Sequence, residues 1–291
     1  MKGNKKIPVI FFVGQGHSGS TIMDLIFDTH SQIVGVGELC QYFVLKEKNH
    51  YCTCGQKLAK CKFWQNVFAN IPEQPSLRIT RSKIDFLLDR KKYFYCCGKE
   101  RIPVDLEEFL KRQEQIYRNI LFYSGKKIIF DSSKNPHLAE AFLSSNKLEI
   151  ILLHLVRDGR GVIYSYKKAH PERSSFSVMW EWAATNLKIE IIKKRYPCKY
   201  IFVRYEDFSR TPELTIKRIL SEIKLNYESE MLNFDKKVHH QAGGNINVRF
   251  PKKKSNQIKE DTAWKIKLPL LDKIIFNLLF GWLNLYYQKI K

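Results

Sequence analysis

A glycine-rich segment near the amino terminus has the residues to hold a phosphate. It reads VIFFVGQGHSGST over Val9–Thr21, and Gly14 and Gly19 have the spacing of the nucleotide phosphate loop G-x-x-x-x-G-K-[ST]. Thr21 stands at the hydroxyl position of that motif, but Ser20 replaces its lysine. A glycine-rich turn that leads from a strand into a helix presents free backbone N–H groups to an anion. The segment therefore predicts a phosphate ligand that is handled without the lysine of ATP chemistry.

Charged side chains lie just beyond other apolar segments. Arg157 directly follows LEIILLHLV, and Ser165 comes about two helical turns later, so a guanidinium fork and a hydroxyl are available to a phosphate. Lys134 follows KKIIFD, where a lysine either stabilises charge on a transferred group or is an ordinary surface residue. Glu38 follows the helix that leaves the glycine-rich segment. Its carboxylate indicates either a general base for a hydroxyl, or a helix cap or salt bridge.

Two later segments complete the set of candidate residues. Tyr205 follows CKYIFVR and offers an aromatic face to a base ring, although a buried tyrosine is equally compatible with the sequence. Gly244, Asn245 and Arg249 belong to a glycine-containing loop with basic flanks, which follows His239–His240. Adjacent histidines point apart in regular structure, so we do not expect the pair to bind one metal ion.

These residues together resemble the P-loop sulfotransferases that use 3′-phosphoadenosine 5′-phosphosulfate (PAPS), and they look closest to the tyrosylprotein and bacterial carbohydrate-type branches. The similarity extends from residue 14 to about 250, most of the chain. It implies that Glu38 is the catalytic base and that Lys134 assists transfer. It also implies a set of co-substrate-binding residues, of which the last three match more loosely: His17, Ser18, Gly19, Ser20, Thr21, Arg157, Ser165, Tyr205, Gly244, Asn245 and Arg249.

One position departs from the family pattern. His17 stands where the family has an arginine or lysine at the start of the loop. Because the charge of a histidine depends on pH near neutrality, we expect co-substrate affinity or rate to fall above neutral pH more than in an arginine-bearing relative.

The resemblance implies transfer of a sulfuryl group from PAPS to an acceptor hydroxyl of a carbohydrate, a tyrosine, or another small or lipid alcohol. No metal is expected, because the leaving phosphate is held by protein donors. A P-loop small-molecule kinase is an alternative. It is weakened by Ser20 at the lysine position and by the lack of a convincing magnesium-binding acidic residue, for which Asp131 is the only good candidate. A basic module that binds polyanions is a second alternative.

Composition narrows the class of protein and its partners. The 291 residues are 44% hydrophobic and carry a formal charge of +21, so the chain is globular and strongly basic. The charge favours an anionic acceptor, although the co-substrate accounts for part of it. We expect no specific nucleic-acid partner, and the oligomeric state is open.

Cysteine usage suggests a reducing compartment. Seven cysteines cannot all pair within the chain, and the basic amino terminus runs into the glycine-rich segment without a signal-peptide cleavage site, so we expect the cytoplasm. Cys52, Cys54 and Cys61 form a cluster for which His50 or Cys40 is a candidate fourth zinc ligand. Because their spacing fits none of the common zinc patterns, we interpret them as structural cysteines.

The elements that position these residues indicate an α/β protein, a three-layer P-loop fold with a central, mostly parallel sheet flanked by helices. We expect one domain over residues 1–291, with a cysteine-containing helical insertion at about 40–123, and a mobile or ligand-ordered loop over Asp235–Gln257. The carboxyl-terminal Leu268–Tyr287 predicts an amphipathic helix, and whether it contacts a membrane surface peripherally is left open by the sequence. The other predicted strands are Lys126–Asp131, Leu148–Val156 and Cys198–Arg204; the other predicted helices are Ser20–Thr29, Lys62–Ile71, Ile79–Leu88, Asp105–Tyr123 and Phe176–Arg195, with two more that begin near Pro136 and Pro212.

Overall fold

Five parallel strands form the central sheet of the structure. This computed structural model describes residues 6–71, 92–97, 100–145, 147–251 and 258–290, with only the backbone for residues 92–97 and 100–106. The predicted helix Ile79–Leu88 lies outside these residues. The strands are β1 (Ile7–Val13), β2 (Ile33–Gly37), β3 (Lys92–Cys97), β4 (Glu100–Asp105), β5 (Ile128–Lys134), β6 (Leu148–Val156) and β7 (Lys199–Arg204). The order in the main sheet is β2-β5-β1-β6-β7, and β3 pairs with β4 as a separate antiparallel ribbon.

Helices cover both faces of this sheet. They are α1 (Ser20–Thr29), α2 (Tyr42–Glu47), α3 (Lys62–Phe68), α4 (Leu106–Ser124), α5 (Pro136–Leu143), α6 (Gly159–Ala169), α7 (Ser175–Arg195), α8 (Tyr205–Arg210), α9 (Pro212–Glu222), α10 (Ile246–Arg249), α11 (Trp264–Lys267) and α12 (Leu270–Lys289). The predicted α/β fold class is confirmed, and α1 and β6 have the predicted bounds. The sequence-based interpretation missed β2 and the β3–β4 ribbon, which lies within the insertion predicted as helical.

The alternation of β1 explains why its sequence is apolar without interruption. Phe11 packs edge-on against Phe142 of α5, with ring centroids 5.3 Å apart, and belongs to the core on one face of the sheet. Phe12 faces the opposite core, where its ring centroid lies 6.4 Å from that of Phe130. Because neighbouring residues point to opposite faces, a central strand that is covered on both sides has no polar face.

The predicted loop Asp235–Gln257 has more regular structure than we expected. A 3-10 helix over Ser229–Lys236 enters it, and α10 forms part of it. Between them Ala242 bridges Gly37 in parallel fashion, so the loop extends the sheet beyond the end of β2. Backbone pairing across the sheet edge orders this segment, a long-range effect that its polar composition did not indicate.

The carboxyl-terminal helix α12 has one buried and one exposed side. Phe276, Phe280 and Leu283 are buried in the core shared with α6 and α7. Leu278 and Trp282 are 78% and 60% exposed on the other side. Among the helices that the structure describes, none is long and apolar enough to cross a membrane.

Candidate active site

The glycine-rich turn after β1 adopts the geometry that its sequence predicted. Gly19 is the N-cap of α1 and has a φ of 95°, which a side chain disfavours. A Cβ on Gly14 would lie 2.4 Å from the carbonyl oxygen of Leu155, so β6 approaches the turn too closely for any side chain. The two glycines therefore permit the tight turn from strand to helix that an anion-binding loop requires.

Two buried polar atoms beside this turn lack a hydrogen-bond partner among the described residues. They are Ser18 Oγ and Arg157 Nε. Ser18 is 1% exposed and Arg157 is 4% exposed. Because buried polar atoms nearly always have a partner, two such donors, one in the turn and one beside it, fit an anionic ligand.

Arg157 and Ser165 meet as the sequence predicted. Arg157 Nη1 donates to Ser165 Oγ and to the carbonyl oxygen of His17, both at 2.9 Å. Its Nη2 donates to the main chain and the carboxylate of Asp261, both at 3.2 Å. The guanidinium lies 4.5 Å above the ring of Tyr205. Arg157 is therefore held flat beside the phosphate turn, with an acidic side chain on its outer edge.

Glu38 and Lys134 form an ion pair in front of the turn. Lys134 Nζ contacts Glu38 Oε1 and also lies 3.3 Å from Ser20 Oγ. The Lys134 side chain is 6% exposed and that of Glu38 is 21% exposed. The structure thus places the two predicted catalytic residues together, at the residue that replaces the phosphate-loop lysine.

The backbone around Glu38 is held by the loop that follows the 3-10 helix. The N–H of Glu38 donates to the carbonyl oxygen of Ala242 at 2.6 Å, and the N–H of Ala242 donates to Val36 at 3.0 Å. Gly37 has a φ of 73°, and a Cβ there would lie 2.2 Å from the Ala242 oxygen. Only glycine permits this approach, so residues about two hundred positions apart fix the direction of the Glu38 side chain.

A buried aspartate on α1, which the sequence-based interpretation missed, ties this arrangement together. Asp24 accepts from the N–H of Gly37 at 3.0 Å, from Ser132 Oγ at 2.5 Å and from Gln241 Nε2 at 2.6 Å. Burial raises the pKa of Asp24 well above its usual range. Its sequence signal was an acidic residue on the apolar face of a helix, where a charge requires partners.

The turn that presents Lys134 is organised by another carboxylate. Asp131 accepts from the N–H of Ser133 at 2.9 Å, from Ser133 Oγ at 2.5 Å and from Tyr117 Oη at 2.8 Å. Lys134 has a φ of 60°, in the left-handed region. Burial raises the pKa of Asp131 to about 6. The described contacts of the Asp131 carboxylate are all with protein donors, which further weakens the kinase alternative, for which Asp131 was the only good magnesium candidate.

His17 lies in the turn with an unusual electrostatic setting. Its ring packs edge-on against Tyr166, with centroids 4.4 Å apart, and its φ is 61°. Burial, followed by the charges of His170, Lys134 and Arg157, lowers the pKa of His17 from 6.5 to about 4. The expected loss of affinity or rate above neutral pH assumed an ordinary histidine pKa, which this setting does not give the free protein, and the expectation itself stays a prediction.

The remaining predicted residues lie around the turn but differ in what they contact. Tyr205 supports Arg157, and its ring would lie 3.2 Å from a Cβ on Gly19. The N–H of Asn245 donates to Thr21 Oγ1 at 3.0 Å, and a Cβ on Gly244 would lie at the same distance from that oxygen.

Arg249 is directed elsewhere. Its guanidinium donates to Thr53 Oγ1 at 2.9 Å and to the carbonyl oxygens of Tyr51 and Gln241 at 2.5 and 3.2 Å. In the structure Arg249 therefore joins its loop to the cysteine-containing insertion, and its predicted contact with the co-substrate stays a prediction.

A family comparison agrees with this geometry. The model of the sulfotransferase family matches residues 8–229, well over half of the chain. This chain belongs to the sulfotransferase family. The matched range contains the phosphate turn, Glu38, Lys134, Arg157 and Tyr205, and the predicted function of sulfuryl transfer is thereby confirmed.

Solved sulfotransferase domains share the fold. The domain from the Synechococcus PCC 7002 olefin synthase is 18% identical, with 97% of this chain and 98% of that chain covered and a TM-score of 0.56. The domain from the curacin biosynthetic pathway is also 18% identical, with 95% and 99% covered and a TM-score of 0.54. At this identity the likeness concerns the fold alone. None of the curated proteins searched matches this sulfotransferase.

Proposed function

We propose that this sulfotransferase takes the sulfuryl group from PAPS and transfers it to an acceptor hydroxyl. The observation that carries the proposal is the pairing of two sites on one sheet edge. An anion cradle, composed of the turn Gly14–Thr21 with Arg157 and Ser165, has the unpartnered donors Ser18 Oγ and Arg157 Nε. A transfer pair, Glu38 and Lys134, lies directly against it through Ser20.

The anion cradle offers separate donor groups for the two phosphate-bearing ends of the co-substrate. The turn N–H groups and Ser18 suit the 5′-phosphosulfate, since they converge at the start of α1. Arg157 and Ser165 suit the 3′-phosphate, because a guanidinium fork and a hydroxyl can share its oxygens. The ring of Tyr205 packs against the face of the Arg157 guanidinium and holds its orientation.

The transfer pair would supply the proton chemistry. Glu38 accepts the proton of the acceptor hydroxyl, whose oxygen then attacks sulfur in line with the departing phosphate. Lys134 leaves Glu38 for the transferred group and the bridging oxygen, whose negative charge grows as the bond breaks. Ser20 Oγ, 3.3 Å from Lys134 Nζ, guides the amine toward the turn.

In this proposal, the Asp261 carboxylate occupies the position on Arg157 that the phosphate takes when the co-substrate binds. Its carboxylate lies 3.2 Å from Arg157 Nη2 and is 42% exposed on its side chain. A phosphate with greater charge competes for the same N–H groups, so Asp261 must turn away when the co-substrate binds. The contact supports an anion-binding role for Arg157, because its guanidinium already donates to a carboxylate at its outer edge.

Binding of the donor is tested first, without knowledge of the acceptor. We expect adenosine 3′,5′-bisphosphate to raise the melting temperature, and adenosine 5′-monophosphate and Mg-ATP to raise it much less at the same concentration. The difference between the melting-temperature shifts with the bisphosphate and with the monophosphate measures how much the 3′-phosphate contributes to binding. Equal stabilisation by Mg-ATP would favour the kinase alternative instead.

The acceptor is then found by transfer from radiolabelled PAPS. Sulfated and unsulfated oligosaccharides, tyrosine peptides with acidic flanks, and lipid alcohols represent the candidate classes. We propose an anionic acceptor, because the formal charge of the chain is +21. Neutral and anionic members of each class, compared at two salt concentrations, measure the charge preference.

Membrane contact and compartment remain proposals of their own. Leu271, Leu278 and Trp282 form an exposed stripe along α12, each at least 60% exposed, and this supports a peripheral contact with a membrane surface. Co-sedimentation with anionic and with zwitterionic vesicles tests it. The cysteines with described side chains are all free thiols, which agrees with the proposed cytoplasmic setting.

A further inference from the structure

Four side chains beside the active site converge on one point. They are Cys52, Cys54 and Cys61 of the insertion and His240 of the loop that holds Glu38. The sulfur and nitrogen atoms that each can offer all lie within 4.8 Å of one another. Cys52 and Cys61 are buried, and the other two are partly buried, so this cysteine cluster is not a chance surface grouping.

Three of the separations between these atoms match those of a tetrahedral zinc site. The Sγ atoms of Cys54 and Cys61 are 3.7 Å apart, and His240 Nδ1 lies 3.4 Å from Cys61 Sγ and 3.9 Å from Cys52 Sγ. Zinc–sulfur bonds of about 2.3 Å and zinc–nitrogen bonds of about 2.0 Å at tetrahedral angles separate two sulfurs by about 3.8 Å, and a sulfur from a nitrogen by about 3.5 Å.

The backbone around the cluster supports three thiolates. N–H groups of Cys54, Gln56 and Trp64 donate hydrogen bonds to the sulfurs of Cys52, Cys54 and Cys61. Cys52 N–H also donates to the carbonyl oxygen of Gln56 at 2.8 Å and closes a tight turn. Hydrogen bonds from backbone to ligand sulfur are the outer support that orients metal ligands.

The fourth ligand differs from those that the sequence suggested. Cys40 lies 3.9 Å from the carbonyl oxygen of Ser133, and His50 is exposed. His240 takes the place instead, and its ring stacks on Phe63 with centroids 5.1 Å apart and planes at 17°. The interpretation of His239–His240 was right that the two rings point apart, since His239 binds Asp28.

We propose that Cys52, Cys54, Cys61 and His240 bind a structural zinc ion. Three thiolates and one imidazole fill the four positions of a tetrahedron, which leaves no open position for a substrate. The prediction that no metal takes part in sulfuryl transfer is unchanged, whereas the interpretation of the three cysteines as structural cysteines without a metal is replaced by this proposal. The zinc site is separate, and joins parts of the chain that are distant in sequence.

The position of the ion explains what it would stabilise. Directly after His240, the carbonyl oxygen of Gln241 accepts from the N–H of Thr53 at 3.3 Å. The next residue, Ala242, accepts the N–H of Glu38 at 2.6 Å. The ion would therefore hold two parts of the chain together, the loop that orients Glu38 and the cysteine-containing insertion. Because metal ligation adds directly to folding free energy, its removal should loosen this loop first.

Metal content of the full-length protein tests the proposal without any substrate. We expect protein purified under reducing conditions, without added chelator, to contain about one zinc ion per chain by elemental analysis. Protein expressed with cobalt should show the intense visible bands of tetrahedral cobalt–thiolate. Zinc-free protein, or octahedral cobalt bands, would overturn the proposal.

Three variants separate ligation from general damage. Cys61→Ser and His240→Ala should lose the metal, whereas His240→Cys should retain it with altered cobalt bands. Cys198→Ser is the matched control, because Cys198 is a free thiol outside the cluster, and it should keep full metal content. Full zinc content in His240→Ala would refute the assignment of the fourth ligand even if activity changed.

A disulfide is the competing use of the same cysteines. Cys54 and Cys61 are close enough that oxidation could join them after a small movement. Thiol counting on freshly purified, denatured protein distinguishes the two outcomes. We expect all seven cysteines of the sequence to react once the metal is chelated. If two cysteines of the metal-free protein reacted only after a reductant was added, they would form a disulfide, and the proposal would be contradicted.

Discussion

The anion cradle and the transfer pair are neighbours in space but are assembled in different ways. The cradle comes mostly from one continuous stretch, in which the turn shape follows from Gly14 and Gly19 and the start of α1. The transfer pair depends on remote parts of the chain. Glu38 is oriented through Ala242, and Lys134 through the Asp131 network.

This difference indicates which substitutions should separate binding from turnover. In the proposed function, the cradle contacts the co-substrate whenever it is bound, so changes in the cradle should act on affinity. Changes in the transfer pair, or in what supports it, affect groups whose charge interactions develop during transfer. They should act on the rate and leave donor affinity close to its original value.

The largest effect is expected from the transfer pair itself. Lys134→Ala or Glu38→Gln should each reduce turnover by about a hundredfold or more, since one well-placed transition-state group contributes ~3 kcal/mol. The affinity for adenosine 3′,5′-bisphosphate should change little. Rates at saturating PAPS and a titration with the bisphosphate measure the two quantities. Lys127→Ala, at the exposed start of the same strand region, is the control. Near-normal turnover in Glu38→Gln would remove Glu38 as the base.

Arg157→Ala should give the next largest effect, in affinity. The loss of charge-assisted hydrogen bonds worth about 1.5–3 kcal/mol predicts bisphosphate binding that is about ten- to a hundredfold weaker. Isothermal titration calorimetry measures it. Arg160→Ala is the matched control, because that guanidinium pairs with Asp158 at 2.7 Å. If both variants bound equally well, the 3′-phosphate would have to lie elsewhere.

Gly37→Ala tests whether the long-range support of Glu38 matters. The added Cβ would meet the Ala242 oxygen at 2.2 Å and displace the Glu38 backbone. We expect turnover to fall about tenfold, since small displacements of a catalytic group are costly, with bisphosphate affinity retained.

A second glycine provides the control for backbone strain. Gly125 also has a positive φ, 66°, but a Cβ there would contact nothing within 4 Å. Gly125→Ala should therefore lose about 1 kcal/mol of stability from strain alone and retain its turnover. An equal loss of turnover in both variants would mean that strain, and not the displacement of Glu38, is responsible.

Asp261→Asn should have a small effect of opposite sign. The substitution removes the negative charge that competes with the ligand for the Arg157 guanidinium. Partly exposed ion pairs of this kind contribute about 0.2–1 kcal/mol. Bisphosphate binding should tighten by about two- to fivefold. The gain should be absent when Arg157 is also changed to alanine. Weaker binding in Asp261→Asn would mean that Asp261 assists the ligand and does not compete with it.

The smallest effect concerns pH. The pKa of His17 is lowered to about 4 in the folded protein, so unfolding takes up a proton between about pH 4 and 6.5. His17 therefore reduces stability as pH falls through that window and has no effect above it. A bound anion raises this pKa, so any gain in affinity lies on the acid side.

Bisphosphate affinity and melting temperature, measured from about pH 5 to 9, check this expectation. His17→Gln should flatten the acid limb of stability and change nothing above neutrality. A wild-type loss of affinity from about pH 7 to 9 that His17→Gln abolishes would support the expectation drawn from the sequence.

The sequence by itself determined the α/β fold class and the bounds of α1 and β6, and it predicted the residues that the proposed anion cradle uses. These features follow from local rules: an uninterrupted apolar run, glycines at fixed spacing and the residues just beyond strand ends. It missed β2, because IVGVG is short and contains two glycines. It also did not show that Asp131 organises the turn before Lys134, since a sequence does not show which donors surround a carboxylate.

Only the tertiary structure decided how distant residues meet. It joined Glu38 to Ala242, Asp24 to Gln241, and three cysteines to His240, none of which has a local signal of pairing. It also decided the pKa of His17, because burial and the charges of neighbours on other elements, and not the residue type, set that value. Local chemistry can be derived from spacing, whereas the contacts that orient it depend on the path of the folded chain.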